Sequence, residues 1–189
     1  MSESKRRRQA KVLRGFRKVH RVTGALLFVV FFVVAVTGIL LGWKKHSGGA
    51  LLADTMKGKS ADPEDWRPMH ELVESAKRAA RERISAEMDL SIDRLDVRPD
   101  KGIVKVLFID GYWGVQVDCT TGEVLQIERR RSDFVEQLHD ASFLDNYFET
   151  EYGQIKLIYT TVTGTALLLF TITGFWLWYG PKRMRATPH

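Results

Sequence analysis

Apolar and polar positions divide this chain of 189 residues into three regions. Residues 22–43 and 157–179 form two runs of 22 and 23 residues without a charged side chain. An α-helix needs about 20 consecutive apolar residues to cross the hydrocarbon core of a bilayer. Both runs therefore predict transmembrane helices, and the residues between them have the mixed composition of a folded domain.

The pattern between the two runs predicts a helix followed by an antiparallel sheet. After Asp62, a predicted helix cap, and Pro63, apolar residues recur at intervals of three and four. After Asp89 the period becomes two, which is typical of strands. Turn chemistry separates the strand segments at three places: 99–102, 110–111 and 121–122. We therefore expect one helix on three or four antiparallel strands, an α+β sandwich of two layers.

Two stretches of the central region are less regular. Residues 51–61 are too polar and irregular for an element to be assigned. Residues 132–156 predict a membrane-proximal helix that is interrupted at Asp145 and Asn146 and brings His139 to the outer membrane surface. The predicted organisation is a basic N-terminus (1–21), a first crossing (22–43), an extracytoplasmic domain (44–156), a second crossing (157–179) and a basic tail (180–189).

Charge indicates the orientation of the chain. Residues 1–21 carry nine Lys or Arg and one acid, and residues 180–189 carry three Lys or Arg and no acid. Because cytoplasmic flanks of membrane helices are enriched in Lys and Arg, both termini are expected in the cytoplasm and the central domain outside it. A basic segment beside a membrane helix favours anionic lipid as its partner. The bilayer is the expected partner, and nucleic acid is not.

Small residues form a stripe along each apolar run. In the first run, the stripe and the flanking residues His20 and His46 fall within an arc of roughly 80° on a helical projection. Small residues let membrane helices approach closely. The predicted helix-packing positions are Gly24, Ala35, Gly38, Gly42, Gly164 and Gly174.

Motifs of soluble enzymes are missing from the sequence. There is no nucleophile elbow, phosphate-binding glycine loop or dinucleotide-binding fingerprint. His70 and Glu71 begin like a zinc motif, but Glu74 stands where the second histidine is needed, so no metal site is expected there. Neither apolar run contains an ionisable side chain of the kind that marks a transport path. Cys119 is the only cysteine, which excludes an intrachain disulfide.

Several segments carry a family resemblance. The run 115–125, Val-Gln-Val-Asp-Cys-Thr-Thr-Gly-Glu-Val-Leu, resembles the closing hairpin of a PepSY domain. The segments 94–99, 138–140 and 20–24 are similar to small PepSY-associated transmembrane helix proteins, and the resemblance covers about residues 16–183. It implies a PepSY-like fold for the central domain and a place in the bacterial inner membrane.

The resemblance also implies a cofactor. Larger PepSY relatives with four crossings resemble haem-binding reductases of ferric siderophores, and their histidines before the helices are similar to His20 and His139. This implies haem b, with His20, His46 and His139 as ligands, and an accessory or reductase role in iron uptake. His20 and His46 are 26 residues apart, about 39 Å along a helix. A homodimer would pair His20 with its symmetry mate and use His46 and His139 on the outer side.

A plainer interpretation competes with haem binding. In it, the histidines are polar caps at the level of the lipid headgroups and have no cofactor. PepSY domains in the wider family resemble inhibitory or regulatory modules of peptidases. The chain would then be a non-enzymatic, membrane-anchored module that binds a membrane protein partner through an exposed strand edge or helix.

Overall fold

The computed structural model describes residues 3–186, with side chains for residues 7–183. The described residues form two compact units, one within Met1–Gly38 and Gln137–His189 and the other within Ile39–Glu136. The helices and strands are α1 (Glu3–Trp43), α2 (Met69–Arg83), β1 (Ile92–Arg98), β2 (Ile103–Phe108), β3 (Trp113–Asp118), β4 (Val124–Arg129), α3 (Arg131–Asp140), α4 (Ser142–Tyr147) and α5 (Gln154–Ala186).

Two long helices, α1 and α5, dominate the first unit. Both are long and apolar enough to cross a membrane. Leu13 of α1 packs at Gly180 of α5, and the ring of Phe16 stacks on that of Trp176. Contacts farther along α1 involve earlier residues of α5, so the two helices run antiparallel.

The second unit is a helix packed on a sheet. Its four strands are antiparallel in the order β1-β2-β3-β4, as a meander requires. Leu72, Ala76 and Ala80 of α2 are completely buried against the sheet. The core of the unit combines these with residues of the sheet and its last hairpin: Val104, Val106, Phe108, Val115, Val117 and Cys119. The predicted two-layer α+β arrangement and its three turns are confirmed.

The predicted start of the first central helix is wrong. Asp62 caps a short 3-10 turn, Pro63–Asp65, by accepting a hydrogen bond from the Glu64 N–H at 3.0 Å. The helix α2 begins only at Met69, after Pro68. Proline disfavours the helical conformation of the residue before it, so the helical pattern cannot run through Pro68.

The predicted interruption at Asp145 and Asn146 is also wrong. Both residues lie inside α4, and the chain breaks earlier, at Ala141, which has a positive φ of 60°. A second irregular stretch follows α4, with positive φ at Glu149 and Tyr152. Asp145 belongs to a helix because its carboxylate binds the start of α5 rather than its own neighbouring backbone.

Candidate functional site

His20 lies on α1 one helical turn after Phe16 and contacts α5. Its Nδ1 atom lies 3.0 Å from Thr173 Oγ1 and 3.2 Å from the carbonyl oxygen of Phe170. The imidazole also stacks on the Phe170 ring, with centroids 3.8 Å apart. Thr173 is only 3% exposed, so this contact forms in the interior of the helix pair.

His139 lies in the last turn of α3 and contacts α1. Its Nδ1 atom lies 2.8 Å from Thr37 Oγ1. Its Cε1 atom faces Gly38, where an added Cβ would lie 3.6 Å away. Thr37 is 4% exposed and belongs to the apolar run of α1. His139 therefore lies against the apolar part of the helix pair.

The hydrogen bonds of the two threonine hydroxyls favour one tautomer of His20 and of His139. Thr37 and Thr173 each donate their hydroxyl hydrogen to the carbonyl oxygen four residues earlier, at 2.6 and 2.7 Å. Each Oγ1 is then left to accept from the imidazole, so Nδ1 carries a hydrogen in both histidines. In the neutral ring the lone pair is consequently on Nε2. No hydrogen bond reaches either Nε2 within residues 7–183.

This arrangement fits an axial ligand of haem. A histidine that ligates a metal almost always donates its other ring N–H to a fixed acceptor, and His20 and His139 both do so. The described side chains include no group of three or more His, Cys, Asp or Glu that could hold a bare metal ion. Haem iron needs only one or two axial side chains, so the donor set present suits haem.

The two histidine sites lie far apart along α1. Thr37, which holds His139, follows His20 by 17 residues, a rise of about 25 Å along the helix axis. One iron therefore cannot bind both histidines of the same chain. His46 belongs to the other unit, where it lies exposed in the short turn Lys44–His46.

The predicted helix-packing residues fall into two groups. A Cβ atom added at Gly24 would lie 2.9 Å from the Phe170 ring, and one added at Gly174 would lie 3.4 Å from His20 Cε1. Both glycines therefore adjoin the His20 site. Gly38 adjoins His139. The other three predicted positions, Ala35, Gly42 and Gly164, are exposed in this chain.

Asp145 holds the beginning of α5. Its carboxylate accepts hydrogen bonds from the Ile155 N–H at 2.9 Å, from the Lys156 N–H at 2.8 Å and from the Thr150 hydroxyl. Burial alone would raise the pKa of this carboxyl, but the three hydrogen bonds and the charge of Lys156 together lower it. The carboxylate thus satisfies N–H groups that a helix start leaves without partners.

Asp140 links the residue next to His139 to α5. It forms an ion pair with Lys156 and accepts a hydrogen bond from the Ser142 N–H at 3.0 Å. Burial alone would raise the pKa of the Asp140 carboxyl. The contacts with Lys156 and Ser142 outweigh burial, so the pKa is lowered. The last turn of α3, and with it His139, is thereby tied to the start of α5.

One family match covers most of α1, all the later helices and strands, and His20, His46 and His139. The family model described as a PepSY-associated TM region matches residues 17–188. The chain belongs to this family. No curated protein and no solved structure matched the chain.

A second polar cluster of this PepSY-associated chain lies on the sheet. Gln116 is completely buried, on the face of β3 opposite to Val115 and Val117. Its side-chain Nε2 donates to the Asp54 carbonyl at 3.0 Å, and its Oε1 accepts from the Met56 N–H at 2.9 Å. The strap, residues 54–60, therefore covers this sheet face, and Gln116 contacts its main chain rather than its side chains.

Charged residues lie under the strap beside Gln116. Lys105 Nζ lies 3.4 Å from Glu128 Oε1, and both side chains are nearly inaccessible. Asp118 accepts a hydrogen bond from the Lys59 N–H at 2.8 Å. Strand alternation predicts that Gln116 and Asp118 point away from the core. It does not predict that the strap covers them. The strap binds through its main chain, so it leaves no periodic side-chain signal.

Proposed function

We propose that this PepSY-associated protein binds haem b through His20 and His139 and serves ferric iron uptake as a reductase or accessory. In this proposal both termini are cytoplasmic, and the helix-and-sheet unit lies outside the cytoplasm of a bacterial inner membrane. The charge difference between the ends of the two apolar helices supports that orientation.

One observation carries the proposal. Both histidines place Nδ1 within hydrogen-bond distance of a buried threonine hydroxyl, and donation from Nδ1 would leave the lone pair of Nε2 for iron. A histidine that only caps a helix at the lipid headgroups can bind water instead. It needs no buried threonine hydroxyl on a neighbouring apolar helix. Bound haem would supply one-electron redox chemistry, and the protein would hold and orient its axial ligands.

The separation of the sites supports a homodimer. Because about 25 Å of helix lies between the two histidine sites, a second axial histidine for either iron would have to come from elsewhere. A second copy would provide it for His20 by symmetry. Ala35, Gly42 and Gly164 are exposed in the single chain and suit close contact between helices. His46 is the further candidate ligand on the outer side.

Absorption spectroscopy tests this proposal. The full chain is expressed with ample haem, purified in detergent and measured in oxidised and reduced forms. We expect a Soret band that weakens in His20→Ala and in His139→Ala. His70→Ala is the matched control, because His70 is exposed on α2 and belongs to the other unit. A wild-type protein without a Soret band, or full haem content in both site variants, contradicts haem binding.

A second candidate function is a membrane-anchored interaction module. It is favoured by Gln116, whose amide pairs with both a C=O and an N–H of the strap. Such contacts are independent of side-chain identity and suit an extended peptide. In this function a peptide of a partner protein would replace the strap on the sheet.

The strap itself provides the probe for this second function. Residues 54–60 are replaced by a Gly-Ser sequence of equal length, and a labelled peptide of residues 53–61 is titrated onto the purified chain. Binding that is lost in Gln116→Leu supports a peptide-binding face. Absence of binding to a variant with wild-type circular dichroism contradicts it. His20→Ala and His139→Ala should leave peptide binding unchanged, which separates the two functions.

A further inference from the structure

A small cavity lies between α1 and α5 at the end of the helix pair that carries the basic termini. Its volume is about 180 Å³. This is below the roughly 300 Å³ at which pockets for drug-sized ligands begin, so it suits a headgroup or part of a chain. The cavity is lined by Arg8, Gln9, Val12, Leu13, Phe16, Trp176, Gly180 and Arg183.

The lining combines charge with an apolar wall. Arg8 of α1 and Arg183 of α5 both contribute to the lining, so each helix brings one basic side chain to the cavity. A guanidinium binds phosphate oxygens in a bidentate manner. The rings of Phe16 and Trp176, which stack with centroids 6.0 Å apart, belong to the apolar part of the lining. This combination matches an amphiphile with an anionic head.

Gln9 adds a more specific requirement. Its Oε1 atom is buried and has no hydrogen-bond partner among the described residues. A buried acceptor without a donor is costly, so a ligand that brings a hydroxyl hydrogen would satisfy it. A phosphate next to a hydroxylated headgroup offers both groups that the cavity needs.

We propose that this cavity binds one anionic phospholipid with a hydroxylated headgroup, such as phosphatidylglycerol. The phosphate lies between Arg8 and Arg183, a headgroup hydroxyl donates to Gln9, and the beginning of an acyl chain packs on Phe16 and Trp176. The site lies in the basic region that attracts anionic lipid in general, but it recognises one molecule by shape and hydrogen bonding. It does not depend on haem.

Native mass spectrometry of the detergent-purified full chain tests the proposal. Phosphatidylglycerol and phosphatidylcholine are titrated separately, and we expect a bound stoichiometric molecule only with phosphatidylglycerol. Loss of one charge-assisted contact in Arg8→Gln should weaken binding about tenfold. Val12→Trp should weaken it at least as much, because the larger side chain fills the cavity without changing the charge.

Arg14→Gln is the matched control. Arg14 is exposed on the same helix and outside the cavity, so its loss changes net charge equally. Its phosphatidylglycerol affinity should stay within about twofold of wild type. The proposal is overturned if Arg14→Gln and Arg8→Gln weaken binding equally, if Val12→Trp binds like wild type, or if phosphatidylcholine binds as well. The first result would indicate only general attraction to the basic region, the second binding outside the cavity, and the third binding without recognition of the anionic headgroup.

Discussion

At the residue scale, two threonines determine how the histidines are presented. Thr37 and Thr173 each satisfy their own hydroxyl hydrogen within the helix and accept from an imidazole. The sequence predicts His20 from its place beside the first apolar run and from the family resemblance, and His139 from that resemblance. It does not predict their partners, since a threonine inside an apolar run looks the same whether or not a histidine reaches it.

Removal of either threonine hydroxyl should weaken haem binding without removing an iron ligand. If the proposed haem function is correct, Thr37→Val and Thr173→Val should lower haem affinity by about 10- to 100-fold, as for other outer-shell partners of metal ligands. A shifted reduction midpoint should accompany the loss. Haem titration with redox potentiometry provides both measurements.

The control for these two variants is Thr171→Val. Thr171 also donates to the carbonyl four residues earlier, at 2.9 Å, but it is exposed and contacts no histidine. Its haem affinity and midpoint should match the wild type. Equal effects at Thr171 and Thr173 would show that helix distortion, and not histidine orientation, causes the change.

Cys119 should be chemically inert in the folded protein. It is completely buried, and burial first and the negative charge of Asp118 second raise the pKa of its thiol to about 11. At pH 8 only about one thiol in a thousand is then ionised, and the thiolate is the reactive form. A maleimide should label native protein at a very low rate and denatured protein rapidly. Rapid labelling in the native state would contradict the burial.

At the element scale, the junction between α4 and α5 depends on one carboxylate. Local composition predicts a helix break at Asp145, because Asp often binds its own neighbouring backbone. Asp145 instead binds N–H groups ten and eleven residues later, which no local pattern can reveal. The sheet was predictable for the opposite reason, since its turns use residues adjacent in sequence.

Asp145→Asn should destabilise the protein in a pH-dependent way. Because the folded-state pKa of Asp145 is lowered, its contribution is fully present above the unfolded-state pKa of about 3.9 and is lost as pH falls through the folded-state value. At pH 7 we expect the Tm to fall by roughly 2–4 °C, as for loss of a helix cap in a chain of this size.

Thermal unfolding in detergent from pH 7 to pH 3 measures this difference. The gap in Tm between wild type and Asp145→Asn should stay constant down to about pH 5 and narrow below about pH 4. Asp110→Asn, in the exposed turn between β2 and β3, is the control and should show little change. A gap that widens in acid would contradict the assigned direction of the pKa shift.

At the scale of the whole molecule, the family and the two apolar helices identify a membrane protein. Length and hydropathy alone were sufficient to predict both helices. The strap on the sheet and the cavity between α1 and α5 were not predictable, because both depend on residues that are distant in sequence or contact only main chain. Orientation across the membrane remains a prediction from charge.

Labelling of single cysteines tests the orientation. In a Cys119→Ser background, Tyr152→Cys and Lys18→Cys place one thiol just before α5 and one just before the first apolar run. Tyr152 is 95% exposed, so its replacement should be accessible. A maleimide that cannot cross the inner membrane should label Tyr152→Cys in intact cells and label Lys18→Cys only after lysis. The reverse pattern would invert the proposed topology.

The length of α1 has a mechanical consequence. The helix continues without a break from the basic N-terminal residues to Trp43, so Arg8, His20 and Thr37 are rigidly connected. The same helix therefore carries the His20 ring and the Thr37 hydroxyl that contacts His139. A bend or rotation of α1 would displace both groups together, so the two histidine sites are not geometrically independent.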